Sequence, residues 1–212
     1  GETVALVGES GAGKSTVASL LLRFVDPTEG RVTFDGVDLR RGTLRSVRAQ
    51  VGYVPQETVV FADTVRANIA CGASLPDEVV EEAAREANAH RWIERLPLGY
   101  EAPLTQGGGG LSGGERQRLG VARALARGAK VLVLDEATSA LDAENDALLR
   151  EAFSRALGKD RIGVVISHRM SSIQGVDRVV VLEKGRVVEE GPPEDLLRQG
   201  GRFARLCELQ AA

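Results

Sequence analysis

"ETVALVGESGAGKSTVASLLLRFV", residues 2–25, decides how the rest of the chain is read. Its first part, "ETVALVG" (2–8), is a short β-branched run ending in glycine, the pattern of a buried parallel strand. "VASLLLRFV" (17–25) is apolar-rich and helical, and it stops before Asp26-Pro27. Between them, Gly8 to Ser15 fit G-x-x-x-x-G-K-[ST]. Glycines there let backbone N–H groups curl around a phosphate chain, and the helix N-terminus adds about half a positive charge. On this reading Gly8, Glu9, Ser10, Gly11, Ala12, Gly13, Lys14, Ser15 and Thr16 bind nucleotide. Lys14 reaches the β- and γ-phosphates and Ser15 ligates Mg²⁺. With 25 glycines in the chain such a match can be accidental; the strand before it and the helix after it argue otherwise.

Outward from this unit the chain alternates strands and helices. "RVTFDGVDLR" (31–40) reads as a hairpin turning at Asp35-Gly36, and "AQVGYVPQ" (49–56) as a strand ended by proline. "KVLVLDE" (130–136) and "RIGVVIS" (161–167) are buried strands, and "RVVVLEKGRVVEEG" (178–191) is a hairpin turning at Lys184-Gly185. "SLPDEVVEEAAREANAHRWIERL" (74–96) reads as one helix, with Ser74 and Asp77 at capping-box spacing, and "ERQRLGVARALAR" (115–127) as another. The tail "PEDLLRQGGRFARLCELQ" is a short amphipathic helical region. The expected fold is α/β, with a P-loop NTPase core, a mainly parallel sheet and antiparallel β hairpins. A single domain over residues 1–212 would comprise a core of about 1–63 and 125–191, an inserted α-helical subdomain of about 64–124, and a C-terminal helical tail of about 192–212.

Bulk properties bound the partners. The net charge of -3 gives no case for nucleic acid, so any anion site is local. No apolar run approaches the roughly 18–20 residues of a membrane span, and nothing reads as a signal peptide. Cys71 and Cys207 lie far apart without metal-ligand spacing, which suggests small buried residues in a reducing compartment. The chain starts without Met, inside an apolar run, and reads as a piece of something longer.

Two further stretches carry chemistry. "VLVLDE" (131–136) places Asp135 at the C-terminal end of a buried strand, where ligands sit in open α/β sheets. Asp135 suits the Mg²⁺ shell and Glu136 can act as general base on an attacking water, although paired acids also simply end strands. "GGGGLSGGE" (107–115) sets six glycines in nine positions, a flexible linker or a place where backbone must approach an anion. Ordered segments on both sides weaken the linker reading. Ser112 and Glu115 have capping-box spacing, so Ser112, Gly113 and Gly114 open a helix and offer a second anion site. Two such sites bind two anions or bring two chains together around each nucleotide.

With "LSGGE" followed by "RQR" (111–118), the P-loop before it and "LDEATSALD" (134–142) after it, the chain resembles the nucleotide-binding domain of an ATP-binding cassette (ABC) transporter. The order Lys14, Gln56, Ser112, Asp135, His168 matches as well, and the likeness covers essentially all of the chain. The resemblance implies two domains paired head to tail, each ATP lying between the P-loop of one and Leu111, Ser112, Gly113, Gly114 and Glu115 of the other. It makes Gln56 a sensor of Mg²⁺ and water, Glu136 the catalytic base, Asp142 part of a loop facing the partner site, and His168 a contact of the γ-phosphate. "TEGRVTFDGVDLR", "VPQETVVFADTVRANI", "LPLGYEAPL" and "EEGPPEDLLRQGGRFARL" are similar to exporter-type domains. Such a domain works on the cytoplasmic side of the cell membrane, with ATP and Mg²⁺, and powers export through an associated transmembrane domain. The segment from Glu57 to Arg66 would face that domain's coupling helices, or Val59, Val60 and Phe61 would merely be core.

The sequence departs from the pattern in places. It holds no aromatic residue upstream of the P-loop to stack on adenine, Gln106 stands where exporters commonly have Glu, and Pro192-Pro193 replace a usual Gly-x-His. Glu115 is a frequent variant of Gln. Two other functions share these motifs. A chromosome-organising or DNA-repair ATPase would separate P-loop and signature by a long coiled coil, and a non-hydrolysing regulatory cassette would lack Glu136 or His168; neither pattern is present.

Overall fold

The computed structural model describes residues 1–137, 142–158, 160–167 and 173–211. A six-stranded sheet runs in the order β4-β5-β6-β1-β7-β8. Its strands are β1 (Thr3–Val7), β4 (Val51–Val54), β5 (Val131–Asp135), β6 (Ile162–Ile166), β7 (Arg178–Glu183) and β8 (Arg186–Gly191). All neighbours are parallel except β7 and β8, which form a hairpin with a register shift at Val181/Leu182. A separate hairpin joins β2 (Thr33–Phe34) to β3 (Val37–Asp38). Both hairpins turn where the sequence predicts, with φ of +49° and +78° at Asp35-Gly36 and +49° and +77° at Lys184-Gly185. Two successive positive φ values are what a right-twisted two-residue turn requires. The α/β class and the mainly parallel sheet are as expected.

Alternation along the strands divides the core. In β1, Ala5 and Val7 face one apolar cluster and Leu6 the other; in β5, Leu132 and Leu134 face the first while Val131 and Val133 face the second. The helix after β1, α1 (Lys14–Leu21), covers the second face through Ala18. The first face carries α6 (Gly113–Ala126) and α7 (Ala143–Leu157), through Leu119, Ala122, Leu149 and Phe153. Strands buried on both sides need continuous apolar runs, and "VLVL" and "VVVL" supply them.

Between β4 and β5 the chain is helical: α3 (Val65–Ala70), α4 (Asp77–Glu86), α5 (His90–Glu94) and α6, following the short α2 (Leu44–Gln50) that precedes β4. Among the described residues of this stretch the one β-type contact is the bridge Thr64–Pro103. The helix expected over 74–96 is two. It breaks at Asn88, which stands at φ +53° because its amide is held by α7: Asn88 Nδ2 donates to Leu148 O (3.2 Å) and Arg155 donates to Asn88 Oδ1 (3.1 Å). Ser74 does not cap α4; Pro76 precedes its first turn and Asp77 is paired with Arg66. The tail likewise divides into α8 (Pro193–Gln199) and α9 (Arg202–Ala211) at Gly200, φ +64°. Cys71 and Cys207 are half-buried rather than buried.

Candidate functional site

The parallel strands end together. Register pairs Leu6 with Ile166 and Ile166 with Asp135, so one row across β1, β6 and β5 sets Asp135 level with the last turn of β1. Beyond that row the backbone leaves the sheet at Gly8. A Cβ there would lie 2.3 Å from the carbonyl oxygen of Leu182 on β7, and φ is +153°. Only glycine passes so close to a neighbouring strand. Gly11 (φ +79°) and Gly13 (φ +108°) continue the loop into α1. Gly13 occupies the N-cap of α1 and has no capping side chain, so the first N–H groups of the helix are left to serve an anion.

Lys14 is buried, and its Nζ donates to Gly8 O (2.8 Å) and Glu9 O (3.1 Å), spanning the loop it belongs to. Ser15 and Thr16 are exposed in the first turn. These residues line a cleft of about 610 Å³ together with Glu136, Ser167, Ile173, Phe203 and Leu206. Of the expected phosphate-loop residues Ala12 alone does not line this cleft; it is buried, and its carbonyl accepts from Gly185 N (3.0 Å).

Glu136 faces the cleft from a left-handed backbone, φ +49°, held by its own N–H donating to Ile166 O at 2.8 Å. For a residue with a Cβ this conformation costs on the order of 1–2 kcal/mol, and such outliers cluster where a side chain has to be aimed. Asp135 stands beside it at half burial, and its Oδ2 accepts from the Tyr53 hydroxyl of β4 at 2.7 Å. Burial, then the bond to Asp135, pushes the Tyr53 phenol well above its ordinary value, so it stays a donor.

The signature lies elsewhere. Ser112 is the N-cap of α6 and forms both bonds of a capping box: Glu115 N donates to its Oγ (3.2 Å) and Ser112 N donates to Glu115 Oε2 (2.8 Å). Leu111 is buried below it, and Gly113 is partly exposed. Gly114 packs so tightly that a Cβ would meet Asn145 Oδ1 at 2.1 Å. None of Leu111 to Glu115 lines the cleft around Lys14. Asp142 caps α7, accepting from Asn145 N (2.8 Å) and from Asn145 Nδ2; those donors, the backbone one first, hold its carboxyl below the usual range. The Asn145 amide also accepts from buried Arg118 of α6 (2.9 Å), which joins the two helix starts.

Gln56 is not in the cleft either. It lines a separate groove of about 750 Å³ with Glu57, Val59, Phe61, Gln106 and Arg116. Within this segment Val60 is core at 1 % exposure, whereas Val59 and Phe61 point outward at 57 % and 48 %. The structure therefore brings the phosphate loop and Glu136 together, sets Asp135 behind them, and leaves Gln56 and the signature apart. His168 lies outside the described residues.

Several participants were not singled out in the sequence. Gln117, on the buried side of α6, donates to Pro55 O (3.3 Å) and Gln56 O (2.5 Å) and accepts from the Thr58 hydroxyl (2.9 Å). Arg123, one and a half turns on, donates to Val59 O (3.0 Å) and Asn68 O (2.9 Å), its guanidinium lying over the Phe61 ring. From the tail, Phe203 and Leu206 wall the cleft, and Arg202 pairs with Glu9 (3.0 Å) and Glu183 (2.9 Å). Nothing local marked Gln117, Tyr53 or Arg202 for these contacts. His90 bonds Tyr100 (Nδ1–Oη 2.8 Å) and Glu94, away from the cleft.

Comparison with known proteins adds identity to this geometry. The family model described as ABC transporter matches residues 1–139. Among relatives, the ATP-dependent lipid A-core flippase of Chromobacterium violaceum is 50% identical over 211 residues, covering 99% of this chain and 36% of that protein. The mitochondrial potassium channel ATP-binding subunit of Pongo abelii is 51% identical over 213 residues, covering 100% of this chain and 30% of that one. The chain thus spans about a third of the length of these relatives. A solved structure of a bacterial Atm1-family ABC exporter with ATP bound is 44% identical with a TM-score of 0.91, over 100% of this chain and 37% of that chain.

Proposed function

Because the chain belongs to the ABC transporter family, we propose that it is the ATP-hydrolysing motor domain of an exporter, closing in pairs around two ATP molecules. The observation that carries this reading is the division of the site. Lys14, the opening of α1 and Glu136 share one cleft, while the capped start of α6 lies away from it. A second copy, placed head to tail, brings Ser112, Gly113 and Gly114 of one chain onto the γ-phosphate held by the other. Likeness to an exporter solved with ATP supports the choice of nucleotide.

Within the cleft the loop N–H groups and Lys14 bind the phosphates and offset their charge. Glu136, aimed by its strained backbone, accepts a proton from the water that attacks the γ-phosphate; Gln56 and His168 are assigned to positioning that water and phosphate. Mg²⁺ fits the donors present: it keeps most ligands as water and phosphate oxygen and asks the protein for one or two oxygens. Ser15 Oγ and Asp135 would be those two oxygens, with Gln56 assigned to sense the ion and its water, and Tyr53 holds the Asp135 carboxylate. Bound there, the metal would supply positive charge that offsets the charge of the phosphates.

Among the described residues no helix is long and apolar enough to cross a membrane, so export requires a transmembrane domain in the same or another chain. Its coupling helices are assigned to the groove at Val59 and Phe61, on the cytoplasmic side of the membrane. Light scattering on Glu136→Gln tests the pairing. Its mass is expected to double with ATP·Mg²⁺ while turnover falls by roughly 10²–10⁴-fold, the usual worth of a general base. A variant that hydrolyses ATP like the parent removes Glu136 from the role.

A further inference from the structure

Charge in the phosphate cleft runs against its proposed ligand. Among the described residues that line it, Glu9 and Glu136 are acids and Lys14 is the one cation. Glu136 has a task there. The Glu9 carboxylate has none, although it stands in the very loop that wraps the phosphates. The main chain of Glu9 is well used, since its carbonyl accepts from Lys14 Nζ (3.1 Å) and from Ala12 N (3.1 Å). Its side chain turns to the tail: Oε1 accepts from Arg202 Nη2 at 3.0 Å, and the same nitrogen donates to Glu183 Oε1 of β7 at 2.9 Å. Arg202 does not itself line the cleft. With Glu9, Glu183 and Lys184 it lines a smaller pocket of about 200 Å³ between the loop and β7.

The start of α9 fixes this guanidinium from its own backbone. There the Glu189 carboxylate of β8 accepts from Arg202 N and from Phe203 N (2.9 Å for the latter), and a Cβ on Gly201 would meet Glu189 Oε1 at 2.2 Å. Phe203 is then part of the core. The bridge itself is too exposed to matter much for folding: the Arg202 and Glu9 side chains keep 34 % and 66 % exposure, and such pairs contribute little stability. Its effect is on the field of the cleft, because fixed charges around a concave site act on a charged ligand without touching it.

We propose that Arg202 is a positioning residue for the phosphate site: it holds the Glu9 carboxylate and cancels its charge, so the tail sets the affinity of the phosphate loop for ATP. Without Arg202 the loop carries an uncompensated negative charge beside a polyanion, and ATP binds more weakly. The inference rests on the proposed function, since it presumes that the cleft holds the phosphates of ATP.

The test uses the full-length transporter that contains this domain, in a Glu136→Gln background, with the Kd for ATP·Mg²⁺ measured by titration calorimetry at low and at high salt. Arg202→Met keeps the length of the side chain and removes its charge. It is expected to weaken binding by roughly 3–10-fold at low salt and by much less at high salt, where the field is screened. Arg202→Lys keeps the charge and most of the affinity. Adding Glu9→Gln to Arg202→Met restores binding to within about two-fold of the parent, because the charge that needed a partner is gone. Arg202→Gln, alone and with Glu9→Gln, serves if Arg202→Met does not fold. A tail that merely braces the loop would leave the double variant as weak as the single one, at either salt, and that result overturns the proposal. So does Arg202→Met binding ATP like the parent while Lys14→Ala binds it weakly. Lys14→Ala binding ATP like the parent overturns the phosphate site itself, and the role of Arg202 falls with it.

Discussion

Gly8 and Gly11 belong to the same loop and look interchangeable as letters, yet they answer different demands. At Gly8 a side chain is excluded twice, by the backbone angle and by the Leu182 carbonyl, which lies 2.3 Å from where a Cβ would stand; at Gly11 only the angle excludes it, with nothing within 4 Å. Gly8→Ala is therefore expected to lower stability by about 2–4 kcal/mol, adding overpacking to left-handed strain, and Gly11→Ala by about 1 kcal/mol. Urea midpoints of the two variants check this; equal losses would mean that the β7 contact does not matter. At this scale the sequence was informative wherever chemistry is local. The acid pair after "VLVL" marked Asp135 and Glu136, and the motif marked Lys14. Tyr53, 82 positions from the carboxylate it orients, was invisible because only sheet order brings β4 beside β5.

Elements carry the next set of consequences. The start of α6 has two tasks, since the Ser112 hydroxyl caps its own helix and the same turn is assigned to a partner's phosphate. Ser112→Ala should cost about 1 kcal/mol of stability, the usual worth of an N-cap. Ser112→Asp keeps a capping oxygen and should leave the unfolding midpoint near the parent's, yet its charge at the phosphate should abolish the ATP-dependent mass increase. Loss of stability in both variants would make the cap itself the wrong account. Strands and hairpins were legible because β-branched runs and Asp-Gly or Lys-Gly turns encode them over a few residues. The break at Asn88 was not, since Leu148 and Arg155 of α7 impose it from across the fold. Gln117 and Arg123 were missed for a related reason. Polar letters in a helical pattern suggest a solvated face, and only the fold shows that theirs is turned inward to a neighbouring loop.

For the whole molecule the decisive feature is that the phosphate cleft and the signature do not meet within one chain. Consider Lys14→Ala, which spoils the cleft, mixed with Ser112→Arg, which spoils the signature. In a closed two-fold pair the mixed dimer has one site in which both halves are damaged and one in which both are sound. Random pairing makes about half of the dimers mixed, so an equimolar mixture of two inactive proteins should recover about a quarter of parental ATPase. A mixture as inactive as its components would place each site within a single chain. The same separation has a meaning in inheritance. Under the proposed pairing, two defective alleles are expected to rescue one another when their lesions lie in different motifs and to fail when both strike the same one. On that reading the folding of 212 residues would draw a complementation map in which position along the chain matters less than which half of a site a residue joins.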